Sequence, residues 1–219
     1  MYEVQNWKHV FKLNPSKNIS DEELELLCES KSDAIIISGT KEVELEEVLD
    51  LMQRVRRFAI PCVLELSSLE NMSPGFDLYF IPTILNSTNT KESNQFHLDF
   101  IKEYGDFIHW DEFYMEGCCT VNNNNSPNLT EEDIQLYAQL SEKMYRLPIF
   151  YLEDQEGIMN LDQLKNMKET LISSTLFYSG NIVDRTTAIQ ASLIADCIVV
   201  EDIIYKDIKK ALETVSAVK

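Results

Sequence analysis

The stretch CIVVEDIIY, residues 197–205, takes an apolar run into two carboxylates, Glu201 and Asp202, and the helical pattern IIYKDIKKALETV begins directly after it. A strand that feeds a helix offers the helix's free N–H groups to whatever lies in front of it, and phosphates often take that place. The same strand-to-helix alternation runs upstream through the chain. Strand-like runs are HVFKLN (9–14), DAIIISG (33–39), PCVLELS (61–67), LYFIPTIL (78–85), FYMEGCCTVN (113–122), PIFYLE (148–153), TLFYSG (175–180) and CIVVED (197–202). Between them lie helical patterns at 20–30, 43–58, 93–105, 129–146, 161–171 and 184–196, and a last helix closes the chain.

Ser20, Thr130 and Asp184 stand where helix N-caps are expected. Pro61 and Pro148 open strands, where a missing N–H is tolerated. The third connection, SLENMSPGFD (68–77), is too short and too broken by proline and glycine for a full helix. Strands with helical returns predict one α/β domain over 1–219, a parallel sheet closed into a (β/α)8 TIM barrel with one helix reduced or missing. An open doubly wound sheet is the alternative, because element order alone does not prove closure. NNNNSPN (122–128) reads as an exposed loop.

The chain has 219 residues, 37 acidic against 19 basic, for a net charge of −18. Such a surface repels nucleic acid and anionic membranes and predicts a charged cytoplasmic protein. The start, MYEVQNWKHVFKL, lacks the pattern of a signal peptide, and no apolar run reaches the ~18 residues of a membrane span. The five cysteines are odd in number and lack C-x-x-C spacing, so reduced thiols are expected. His9, His97 and His109 are too scattered for a His-based zinc site, and His9 is expected to be structural.

Chemistry in such a fold collects where strands end. Those ends bring Lys12, Asn14, Glu65, Tyr151, Glu153, Gly180, Asn181, Glu201 and Asp202. An ammonium in an apolar strand is costly unless it meets an anion, so Lys12 is expected to face a bound phosphate or Glu153. Glu65 and Glu153, in equally apolar surroundings, are expected to be paired or to bind something.

YEVQNWKHVFKLNP (2–15), MQRVRRFAIPCVLELS (52–67), PGFDLYFIPTILNS (74–87), YRLPIFYLE (145–153), STLFYSGNI (174–182) and IIYKDIKKAL (203–212) resemble the bacterial heptaprenylglyceryl phosphate synthases, relatives of the archaeal geranylgeranylglyceryl phosphate synthases. The resemblance runs essentially end to end. It implies a barrel lacking one helix, a homodimer, and a Mg2+-dependent transfer of a long prenyl group from its diphosphate to sn-glycerol 1-phosphate. It implies Lys12 on the phosphate and Glu153 as the residue that orients the acceptor hydroxyl or takes its proton. Asn14 and Thr40 fall at the magnesium positions, and the substrate pocket would comprise Lys12, Tyr151, Leu152, Glu153, Asp154, Gln155, Glu156, Gly180, Asn181, Glu201 and Asp202.

Four places depart from the family pattern. Asn14 replaces an Asp, Asp154-Gln155-Glu156 replace Tyr-Ser-Gly, Ser179-Gly180-Asn181 replace three glycines, and Glu201 replaces a glycine. The chain holds only 6 glycines, about half of average usage. A carboxylate about 4 Å from a phosphate charge costs about 4 kcal/mol at an effective dielectric near 20. The alternative geometry turns Glu201 outward and makes Asp202 the N-cap of the last helix. Three functional readings follow: the family's prenyl transfer with an altered anion site, an isoprenoid-binding or scaffold protein on the same fold, or transfer to a less anionic acceptor.

Overall fold

A computed structural model describes the chain apart from residues 1, 40–42, 88–89, 122–128, 156–160 and 219, and apart from the side chains of 90–93. The strands are β1 (His9–Leu13), β2 (Ala34–Ile37), β3 (Cys62–Glu65), β4 (Leu78–Ile84), β5 (Phe113–Val121), β6 (Ile149–Asp154), β7 (Thr175–Ser179) and β8 (Cys197–Val200). They pair in parallel in chain order, and β8 returns to β1 with His9 opposite Ile198 and Phe11 opposite Val200. That last pairing closes the barrel and excludes the open sheet.

The helices are α1 (Asp21–Cys28), α2 (Leu45–Val55), α3 (Thr90–Tyr104), α4 (Glu131–Gln139), α5 (Leu161–Lys168), α6 (Arg185–Ser192) and α7 (Ile208–Val218). Ser20, Thr130 and Asp184 each cap a helix by accepting from the backbone N–H three residues on, in reciprocal capping boxes. Between β3 and β4 the helix is reduced to a single 3-10 turn, Leu69–Asn71. The shortened return leaves a flank cavity of about 430 Å³ lined by Met72, Phe76, Tyr79, Tyr104, Phe107 and Phe113.

Strand alternation sorts the side chains into two layers. Phe11, Leu13, Ile35, Ile37, Phe150, Leu152 and Val200 face outward into the layer under the helices. Val10, Ile36, Val63, Phe80, Cys118, Ile149, Tyr151, Phe177 and Val199 fill the barrel itself. Trp7 plugs the lower end, 6% exposed, with its ring 6.1 Å from Phe80 and 6.5 Å from Phe177. The other tryptophan, Trp110, stands beside Phe113 at the flank, 51% exposed.

Two boundaries differ from the sequence reading. The pattern over 129–146 ends as an α-helix at Gln139, and Leu140–Tyr145 continues it as a π-helical turn, stopped by Arg146 at φ 56°. The helix expected directly after Asp202 is preceded by a 3-10 turn, Asp202–Tyr205. α7 starts at Ile208, where the Asp207 carboxylate accepts from the N–H groups of Lys209 and Lys210. Asp207, and not Asp202, therefore caps the last helix.

All five cysteines are buried, and none forms a disulfide. His9 is fully buried between Ser32 (3.0 Å) and Thr214 (2.8 Å), tying β1 to α7 in the outer layer, so it lines no pocket. No helix among the described residues is long and apolar enough to cross a membrane.

Candidate active site at the barrel mouth

Inward-facing positions continue the alternation upward to the C-terminal mouth: Lys12 above Val10, Glu65 above Val63, Glu153 above Tyr151, and Glu201 above Val199. Lys12 finds its anion in Glu65, with Nζ 2.9 Å from Oε1 and both side chains 13% exposed. Of the two partners expected from the sequence, Glu153 gives way to Glu65 as the internal counter-ion. Ser38 donates to the same Glu65 oxygen at 2.7 Å. The Lys12 ammonium also stands 4.8 Å from the centre of the Tyr151 ring, a cation–π contact. Burial works against its charge, but the carboxylate of Glu65 prevails, and the lysine pKa lies well above its usual value.

Glu201 points into the mouth. The Tyr151 hydroxyl lies 2.9 Å from Glu201 Oε1 and 2.9 Å from Ser179 Oγ. Having one proton, it donates to the carboxylate and accepts from the serine. This inward direction rules out the outward alternative for Glu201. Burial pushes the Glu201 carboxyl above its ordinary range, Lys12 opposes the shift, and Glu153 reinforces it.

Glu153 accepts from the Thr120 hydroxyl at 3.1 Å, and Thr120 is pinned by the Asn86 side-chain amide donating to its carbonyl at 2.7 Å. Asp202 is exposed and pairs with Lys17 at 2.9 Å. Lys17 in turn lies 4.9 Å from the ring centre of Tyr205, whose oxygen accepts the Asn14 N–H at 2.7 Å.

Two cavities open on this mouth. One, about 480 Å³, lies against the ends of β6, β7 and β8 and includes Asp154, Gln155, Gly180, Asn181 and Lys206. The other, about 270 Å³, includes Lys12, Asn14, Ser38, Glu65 and Tyr205. Glu153, Glu201 and Asp202 border both and form the wall between them. Five carboxylates face these cavities against the ammoniums of Lys12, Lys17 and Lys206.

Most of the sequence-selected residues thus converge. Leu152 does not: it is fully buried in the outer layer, because its place in β6 puts it opposite in phase to Tyr151 and Glu153. Thr40 and Glu156 lie outside the described residues. Sequence reasoning passed over Glu116, on β5 and 1% exposed, whose Oε2 has no hydrogen-bond partner. Its signal was present, since it shares the inward phase of Cys118 in an apolar strand. Thr120, Lys17, Tyr205 and Lys206 carried no such mark.

Among the described residues no three His, Cys, Asp or Glu side chains gather as a metal cage. Magnesium needs less, because it keeps waters and binds through one or two protein oxygens plus the phosphates of its ligand. Asn14 faces the cavity bordered by Glu201 and Asp202, although its side-chain oxygen already accepts the Ser16 N–H at 3.0 Å. The oxygens of Asn14, Glu201 and Asp202 bordering this cavity are of the kind that Mg2+ takes.

The model of the PcrB family matches residues 2–219. The chain belongs to the PcrB family. This PcrB-family chain is 48% identical over its full length to the full length of a heptaprenylglyceryl phosphate synthase of Geobacillus sp. (strain WCH70). It is 44% identical to the enzyme of the same name from Bacillus mycoides (strain KBAB4), with all of this chain and 99% of that one covered. Among solved structures, it resembles (S)-3-O-geranylgeranylglyceryl phosphate synthase from Thermoplasma acidophilum in complex with sn-glycerol-1-phosphate. The TM-score there is 0.84 at 15% identity, over 100% of this chain and 99% of the other. At that identity the likeness shows a shared fold.

Proposed function

We propose that this PcrB-family chain is a prenyltransferase that moves a heptaprenyl group from its diphosphate onto the hydroxyl of sn-glycerol 1-phosphate. The observation that carries this reading is the 48% identity to a heptaprenylglyceryl phosphate synthase across both whole chains. The meeting of Lys12, Tyr151 and Glu153 at one barrel mouth supports it.

In this reading the acceptor lies in the cavity beside β7 and β8 and the diphosphate above Lys12. The acceptor oxygen attacks the first prenyl carbon, an ether bond forms, the carbon–oxygen bond to diphosphate breaks, and the hydroxyl proton passes to Glu153. Thr120 holds that carboxylate in place. Lys12 stays charged beside Glu65 and balances part of the departing diphosphate. Asn14, with Thr40, would hold Mg2+, which when bound neutralises the leaving group. A mouth with more carboxylates than ammoniums supports that requirement, because a bare diphosphate would be repelled. The apolar flank cavity suits the prenyl tail. A cytoplasmic homodimer is part of the same proposal.

The test is to incubate the protein with Mg2+, heptaprenyl diphosphate and sn-glycerol 1-phosphate. Ether product is expected, with a fall of about 100-fold or more in Lys12→Ala. No product above that variant overturns the reading and favours a binding or scaffold role. Light scattering of the purified chain checks the dimer.

A further inference from the structure

The acceptor cavity has an unusual charge balance for a ligand bearing phosphate. Glu153, Asp154, Glu201 and Asp202 border it, with Lys206 as the one ammonium among its described lining residues. Asp202 is turned to Lys17, and Glu153 is held by Thr120. Glu201 differs from both, because it is fastened at the centre of the mouth by the Tyr151 hydroxyl, within the electrostatic reach of Lys12. It also stands on the wall that the two cavities share, so an acceptor reaching toward the prenyl donor passes it.

We propose that Glu201 is the specificity-determining residue for acceptor charge: its carboxylate, anchored by Tyr151 between the two cavities, competes with a ligand phosphate and leaves neutral polyols unaffected. The proposal rests on the reading that the acceptor carries a phosphate. The free protein carries its own anion where the ligand's must approach. A phosphate can settle only if it displaces the Tyr151 bond or tolerates the carboxylate, and its affinity falls accordingly. Glycerol, with hydroxyls alone, meets no such penalty.

The experiment measures binding of inorganic phosphate, sn-glycerol 1-phosphate and glycerol by calorimetry to the wild type, Glu201→Gln and Glu169→Gln. Gln at 201 keeps an oxygen for the Tyr151 proton, and Glu201→Gly serves as a second variant should the first fold poorly. Glu169 is exposed after α5, so its change removes one charge without touching the mouth. Expected is a gain of at least about fivefold for both phosphate ligands in Glu201→Gln, with glycerol unchanged and Glu169→Gln equal to wild type. Unchanged or weaker phosphate binding in Glu201→Gln overturns the proposal, and so does an equal gain in Glu169→Gln. Detecting no phosphate binding to any of the proteins overturns it too. Transferase activity is assayed separately: a missing ether product alongside the expected binding pattern defeats the proposed function and leaves the role of Glu201 standing.

Discussion

Glu116 shows how costly a single carboxyl inside the barrel is. Burial, reinforced by Glu65 and opposed by Lys12, holds its pKa well above the ordinary carboxylate value. An unfolded chain releases that proton near pH ~4.3, whereas the folded chain keeps it to higher pH. Between those points the folded state binds more protons, so stability falls as pH rises. Glu116→Gln abolishes this slope. Its melting temperature should match wild type near pH 4 and exceed it increasingly toward pH 8 by scanning calorimetry, and parallel curves would refute the account. The residue scale is also where the sequence was least legible. Lys12, Glu65 and Glu153 were found because charged groups in apolar strands need a reason, and Tyr151 and Glu201 because they stand where strands end. The pairing of Lys12 with Glu65, two strands away, depends on inter-strand register, which no local pattern encodes. Leu152 was included with its neighbours in sequence, although alternation turns it away from the mouth.

At the scale of elements, β5 and the π-helical turn fit closely. A Cβ on Gly117 would stand 2.4 Å from Ser141 Oγ and 3.1 Å from a methyl of Leu147. Ser141 is fully buried, and its hydroxyl finds no partner. Gly117→Ala should therefore cost about 1–3 kcal/mol in denaturant unfolding through overpacking. Ser141→Ala alone should cost little, and the double variant should recover part of the loss, since the nearest obstacle has gone. Strict additivity of the two would show that Ser141 is not the obstacle. The regular elements were readable because caps and apolar runs are local signals: Ser20, Thr130 and Asp184 cap where expected. The π turn was not readable, because the helical pattern over 129–146 runs on through it. Nor was the break before α7, where Asp207 caps the helix in place of the Asp202 of the alternative geometry. Barrel closure, too, was one of two options until β1 and β8 were seen paired.

For the whole molecule, a net charge of −18 opposes the approach of anionic ligands. Raising the salt from about 0.01 M to about 0.1 M shortens the Debye length from about 30 Å to about 10 Å. At fixed Mg2+ the KM for the diphosphate donor should fall over that range. A protein that steers its ligand with positive charge would show the reverse, and a rise in KM would refute the repulsion argued here for both the mouth and the whole chain.

The two tryptophans give this barrel a pair of native optical reporters in opposite surroundings. Trp7 is sealed at the floor against Phe80 and Phe177, while half of Trp110 meets solvent at the flank. Acrylamide should quench only one part of the emission, and Trp110→Phe should remove that part. An alkyl chain settling in the flank cavity, against the Phe113 that neighbours Trp110, would blue-shift the accessible component and leave the sealed one unmoved, so occupancy of that cavity can be followed without any label.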